Sequence, residues 1–393
     1  MAITITNEPQ NFTTASNPVV FEFSSTQTSQ ASFSFIVELT VNGSVHSFHQ
    51  VFPESANFGK FDCSEILRSI VFSDLISDGS FQTTYTNAIA SYSIRVIEKY
   101  GTPPVQVGSF VGSNTLNVMN GALRHIDWIN YDFTDYDFTT TVDCLFLTAF
   151  PRTSSYFCGL TESIFLGMIS STAVASDLTA TLYDVNDVLI SSGLTSGLTA
   201  NLLLVDVSPA TIVANTTVTN ADFSTAHYYT IQISLSGANT ELFRIYVDNE
   251  CSQYTSRRLH WLNKFGVWDS YSFTKYSEES TSIKSKSYQR DSGTWSNTNE
   301  FEYNRVNGSN FSGTKTSSDI MKLNSDWIKQ EKQNWLMPSL LESPSVYLEI
   351  TQGVFEPVVV STKSFVTKQK IKEGLIQEEI SIQRTYKYTS QLG

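Results

Sequence analysis

Residues 32–48 read Ser32-Phe33-Ser34-Phe35-Ile36-Val37-Glu38-Leu39-Thr40-Val41-Asn42-Gly43-Ser44-Val45-His46-Ser47-Phe48. Apolar and polar side chains alternate along residues 32–39, the period of a strand with one buried face. Asn42-Gly43 stands between Glu38-Leu39-Thr40-Val41 and Val45-His46-Ser47-Phe48. A two-residue hairpin turn wants φ > 0 at both positions, and Asn-Gly supplies that at little cost. The stretch therefore specifies an antiparallel hairpin, and strand periodicity recurs along the whole chain.

Outward from it, Val19-Val20-Phe21-Glu22-Phe23 and Tyr92-Ser93-Ile94-Arg95-Val96-Ile97 are further strands. One helix interrupts: Asp62 is placed to cap a first turn, and Ile66, Leu67, Ile70, Val71 and Leu75 follow at helical spacing. Residues 1–120 read as a β-sandwich-like domain with one short helix. Residues 121–255, rich in Ser, Thr and Asn, carry strands at 142–147, 178–183, 201–205 and 228–235, with turn residues at 184–187, 193–197 and 237–239. Short strands without helices indicate a sandwich or jelly roll.

Residues 256–393 add strands at 346–350, 357–360, 364–367 and 378–382. They also hold one helix, starting at Ser325-Asp326 and running through Trp327, Ile328, Glu331, Trp335 and Leu336. Pro338 is expected to interrupt it and open a short continuation. Trp327 and Trp335 should be buried, against the sheet or a neighbouring subunit. The expected fold is mainly β: a multi-domain chain of antiparallel β-sandwiches, with a C-terminal α+β domain that packs one helix on a sheet.

The chain has 393 residues, 16% of them charged, with 26 Phe, 18 Tyr and 6 Trp. That length suggests two or three domains, and the balance excludes a disordered chain. No apolar run approaches the roughly 20 residues of a membrane span. Met1-Ala2-Ile3-Thr4-Ile5-Thr6-Asn7-Glu8 has neither a basic nor an apolar leader region. Neither membrane insertion nor Sec export is expected. Residues 1–250 carry 7 Lys+Arg against 23 Asp+Glu, and residues 251–393 carry 18 against 15. The acidic part repels phosphate, so nucleic acid is not expected as the primary partner.

Signatures of enzymes are missing: the sequence has no GxSxG, HExxH, P-loop or strand-linked GxGxxG. No catalytic residue, metal or cofactor is assigned. Cys63, Cys144, Cys158 and Cys251 lack metal-ligand spacing and read as small buried hydrophobes, with a Cys144–Cys158 bridge the one pairing considered. The densest carboxylate–aromatic window is His125-Ile126-Asp127-Trp128-Ile129-Asn130-Tyr131-Asp132-Phe133-Thr134-Asp135-Tyr136-Asp137. It reads first as an interdomain linker with packed aromatics and wet carboxylates. Glycan or ion contact through Asp127, Trp128, Asp132, Asp135, Tyr136 and Asp137 is the alternative, and general acid/base work by the carboxylates is a distant third.

Leu259-His260-Trp261-Leu262-Asn263-Lys264-Phe265-Gly266-Val267-Trp268-Asp269-Ser270-Tyr271-Ser272-Phe273 is a second hairpin. Gly266 supplies φ > 0 at the turn, Trp261 and Trp268 anchor the flanks in the core, and Asp269 is placed to accept backbone donors beside Asn263. Together with residues 17–23, 61–67, 326–348 and 354–360, this hairpin resembles a family of tailed-bacteriophage virion proteins, particularly from phages of Bacteroidota hosts. The resemblance covers the first 100 and last 140 residues and leaves 121–255 unmatched. It implies a non-enzymatic structural subunit of the virion, assembled in the host cytoplasm, that forms rings with itself and docks other virion proteins. A tail tip, baseplate or connector ring is the expected place. A carbohydrate- or receptor-binding module, or a head or neck protein, is the alternative.

Overall fold

Asn42 and Gly43 take φ of 48° and 75° and join Ser34–Val41 to Ser44–Val51 in a hairpin, as the Asn-Gly pair requires. The computed structural model describes residues 3–54, 57–75, 81–84, 86–139, 143–171, 176–198, 201–235, 238–248, 253–303, 308–366 and 375–390. The hairpin belongs to a sheet completed by Ile89–Tyr100, Val105–Gly112, Leu116–Met119 and Thr13–Thr14. A smaller sheet of Ile3–Asn7, Val20–Ser25 and Phe58–Asp62 lies against it. Inward-facing Phe21, Phe23, Phe35, Val37, Leu39, Ile94 and Val96 fill the space between.

The short helix is Ser64–Arg68; its N-cap is Cys63 with no side-chain cap, and Asp62, expected there, sits one residue earlier and accepts the Ser64 N–H at 2.9 Å. It stops well before Leu75. Ser69 and Ile70 close tighter i→i+3 bonds, and Phe72 N–H donates to Asn87.

A second pair of sheets follows. One runs Tyr156–Gly159, Phe243–Asp248, Tyr228–Leu235, Ser176–Tyr183 and Leu189–Leu198, the last being an edge strand whose Ser192 carbonyl accepts from Thr217 Oγ1 at 3.3 Å. The other pairs Phe165–Ile169 with Leu202–Asp206, and Gln82–Thr84 crosses over from the first segment to complete it. Two strand pairs in the molecule are parallel, Thr13–Thr14 with Leu116–Met119 and Tyr156–Gly159 with Phe243–Asp248. The rest of the described ladders are antiparallel.

Contrary to a helix-free reading, this segment holds the helices Pro209–Asn215 and Asn220–Thr225. Ser208-Pro209 opens the first, and a Thr219/Asp222 capping box opens the second. The expected strand at 142–147 is reduced to a bridge at Cys144. Its backbone bonds scatter to Asp135, Gly167 and Asn239, so no single ladder forms. Val142, Gly237 and Cys251 lie outside the described residues.

The third sheet runs Trp268–Phe273, Arg257–Leu262, Val346–Thr351, Val354–Val360, Glu379–Arg384, Asn310–Asn324 and Glu278–Gln289. Helix Gln330–Glu342 covers it with Trp335, Leu336, Met337 and Leu340. The helix begins later than expected, because Ile328–Lys329 is extended and pairs with Leu375–Ile376. Ser325 instead clamps Glu378: its N–H donates to the Glu378 carbonyl and its Oγ accepts the Glu378 N–H at 2.9 Å. Pro338 does not break the helix. The donor it removes would have met the carbonyl of Asn334, which is exposed and open to water. Residues 364–366, expected as strand, have no ladder, and Thr367 lies outside the described residues. A single buried cluster runs from Phe138 to Ile382, so the second and third segments share one core.

Candidate assembly surface

The Trp261–Trp268 hairpin is buried on both faces. In its register Trp261 faces Asp269 and Leu262 faces Trp268, so the two indoles point to opposite sides. Trp261 packs at 5.3 Å on Trp335 and donates to Ser339 Oγ, both on the helix. Trp268 enters a different cluster with Phe12, Met119, Leu147 and Phe165. Asn263 shapes the turn: its Oδ1 accepts Phe265 N–H at 2.9 Å while its Nδ2 donates to the Leu147 carbonyl at 2.9 Å and to Asp269 at 3.1 Å. Asp269 therefore receives side-chain donors, from Asn263 and from the Trp335 indole at 3.1 Å, where backbone donors were expected. Gly266 has φ 81° and its carbonyl accepts from Ser73 Oγ at 2.7 Å. The hairpin touches all three segments of the chain at once.

Trp335 is buried as expected, whereas Trp327 is 55% exposed on the extended residues before the helix. The 125–137 window is spent locally. Asp127 pairs with Lys264 at 3.2 Å, and Trp128, Tyr131 and Tyr136 stack in series toward Phe265. Asp132 caps a 3-10 turn by accepting the Thr134 hydroxyl at 2.7 Å and Thr134 N–H at 2.9 Å, which together hold its carboxyl below the usual range. Asp137 is buried and accepts from Thr139 and Ser171 N–H. Asp135 is exposed. The carboxylates are not brought together across a cleft, and no group of three potential metal ligands occurs among the described residues.

A buried polar row lies on the face of the hairpin opposite Trp261. Arg258 pairs with Glu162 at 3.1 Å and donates to Ser270 and Ser272 Oγ. Next to it His260 bonds Glu349 at 3.0 Å, and Ser163 Oγ also donates to Glu349. Ser163 thus spends its hydroxyl on the carboxylate and not on the imidazole. Burial pulls His260 below its usual range, against the opposing pull of Glu349. Cys63, Cys144 and Cys158 are free and buried, their thiols pushed up by burial, to about 12 for Cys63 and Cys144. They are inert, with no bridge between Cys144 and Cys158.

The feature that sequence reading missed is an arm. Glu278–Gln289 pairs with Asn310–Asn324 from Glu278↔Lys322 out to Gln289↔Asn310. Among the described residues, only the base, near Thr316 to Asn324, has further sheet neighbours. At about 3.4 Å per residue, the 12 residues of the first strand span about 40 Å. Nearly every residue of that strand is exposed, and a second hairpin, Gly293–Trp295 with Phe301–Tyr303, caps the arm.

Trp295, Phe301 and Tyr303 form an edge-to-face cluster there, with Trp295 70% and Tyr303 74% exposed. Lower down, Arg290 lies over the stacked rings of Tyr288 and Phe311. Residues 284–315 hold five Lys/Arg against three Asp/Glu, while residues 121–255 hold three against fourteen. The strand periodicity of the arm is invisible because it has no buried face.

No protein-family model matches the sequence, and no curated protein is similar to it.

Proposed function

We propose that this protein is a non-enzymatic structural subunit of a tailed-phage virion, in a tail-tip, baseplate or connector ring, that assembles by laying its arm on the central segment of the next copy. The arm carries this reading. A two-stranded ribbon with a solvent-facing aromatic tip is marginal by itself, and exposed aromatic clusters mark contact surfaces.

The arm is net basic and the central segment strongly acidic, so a second copy is the partner its charge selects. That segment also ends on the edge strand Leu189–Leu198, part-covered where Thr217 Oγ1 donates to the Ser192 carbonyl but with Leu189 and Leu194 exposed and Asp184 and Asp187 flanking the preceding turn. An edge strand of this kind accepts an added strand. Head-to-tail contacts between unlike surfaces close into rings where the rotation between copies closes, and run on as filaments where it does not. The virion setting rests on the resemblance carried by the Trp261–Trp268 hairpin and its flanking motifs, and other virion proteins would dock on the finished ring.

Replacing residues 286–314 with Asn-Gly shortens the arm to a tight turn and leaves the core intact. Light scattering after size exclusion should show oligomers for the full chain and monomers for the shortened chain, with unchanged far-UV circular dichroism. Equal masses for the two would remove the arm from assembly. Oligomers of the full chain should also dissociate as salt rises, since the attraction is between exposed charges.

A further inference from the structure

Where Tyr156–Gly159 meets the first turn of helix Gln330–Glu342, the fold leaves a cavity of about 650 Å³. Ligand sites fall in the range of about 300–1,000 Å³. Lys332 lines it and is only 8% exposed. Its Nζ makes one hydrogen bond, to the Ser155 carbonyl at 3.0 Å. The same Nζ lies 5.8, 5.2 and 5.1 Å from the ring centres of Phe150, Phe157 and Tyr271.

Aromatic faces attract the ammonium but do not neutralise it. Among the described residues no carboxylate forms an ion pair with Lys332: Glu162 pairs with Arg258 and Asp326 with Lys275, so the Asp326 charge favours the ammonium only from a distance, and Lys329 adds a second cation. His227, Asp248, Cys158, Tyr156 and Tyr246 are the other titratable groups of the lining. Burial pulls Lys332 down to about 8. A second group is also unserved, since Ser154 Oγ is buried on the cavity wall without a hydrogen-bond partner. At the mouth stand two exposed rings, Trp327 and Phe157.

A buried cation without an ion-pair partner costs stability, and an anion bound beside it would offset that cost. Flat exposed rings beside polar groups suit the C–H face of a sugar. We propose that this cavity binds a carboxylate-bearing sugar of one or two rings, with Lys332 pairing the carboxylate, Ser154 donating a hydrogen bond and Trp327 stacking on the ring. The site is separate from the arm and stands or falls independently of assembly.

Titration of the full chain with glucuronate, followed by NMR, tests it, with glucose as the neutral control. Glucuronate should bind at least about tenfold more tightly than glucose, and its affinity should fall about tenfold between pH 7 and pH 9.5 as Lys332 loses its proton. Lys332→Met should abolish glucuronate binding while raising the melting temperature by about 2–4 °C, because a buried charge is replaced by an apolar chain. Trp327→Ala, at an exposed position, should weaken binding with the melting temperature unchanged. Failure of glucuronate to bind, equal binding of glucose, or unchanged binding by the Lys332→Met or Trp327→Ala protein would overturn the proposal.

Discussion

Gly266→Val should lower stability by about 4 kcal/mol or more, in the range reserved for severe core defects. Two penalties add. The residue has φ 81°, where a β-branched side chain is strained. A Cβ built there would also stand 1.7 Å from the Asn120 carbonyl oxygen and 2.5 Å from its carbon. Those are backbone atoms, and they cannot swing aside. Asn120 N–H donates to the Ala88 carbonyl at 2.9 Å and its side chain to Ser73 at 3.1 Å.

Gly43→Ala is the matched control, because Gly43 has φ 75° and open space around its missing Cβ. It should cost only about 1 kcal/mol. Urea unfolding of the two variants beside the parent gives the comparison, and equal losses would mean that the Asn120 contact is not tight.

Glu162→Gln should cost about 3–5 kcal/mol, since it removes the carboxylate that pairs with buried Arg258 and leaves only the more distant Glu349 charge. The Arg258 side chain is 1% exposed. Burial alone would raise the Glu162 pKa. The Arg258 charge and donors from Ser272, Gly159 and Ser256 outweigh that and hold the carboxyl below its usual range.

A carboxylate depressed in this way stabilises the fold above its unfolded pKa, about 4.3, and the contribution is lost as pH falls through the lower folded value. Glu349 is depressed too and acts with the same sign. Asp206 and Asp269 are raised by burial and act with the opposite sign, costing stability at neutral pH and less in acid. The difference between parent and Glu162→Gln isolates one group. It should be constant above about pH 5 and shrink below about pH 4. A difference that grows in acid would contradict the assignment. Adding Arg258→Met should recover part of the loss, because the orphaned charge is then gone.

Local chemistry was legible in the sequence, and long-range pairing was not. Asn42-Gly43 and Gly266 announce their turns because the demand for φ > 0 is met by the residue itself. Trp335 announces its burial by helical spacing. Trp327 shares that spacing, yet Ile328–Lys329 pairs with Leu375–Ile376 and pulls the chain out of the helix before Trp327 can join it. No local pattern encodes that partner. The helices at 209–215 and 220–225 did leave signals, Ser208-Pro209 and the Thr219-to-Asp222 spacing, which the surrounding strand-rich composition masked.

Lys332 also left one. It precedes Trp335 and Leu336 by three and four residues, so it falls on the apolar stripe of its helix. A charge on that stripe is either paired or functional. The arm left none, since Ser, Thr and Lys alternate there without a buried face. The acidic first 250 residues were visible from counting alone, and the arm supplies their basic counterpart.

Assembly through that counterpart is tested most directly by negative-stain electron microscopy of the purified full chain over a concentration series. Closed rings of one fixed copy number, with density crossing from each subunit onto the next, are the expected result. Monomers persisting at every concentration, at low salt and with the arm intact, would contradict it.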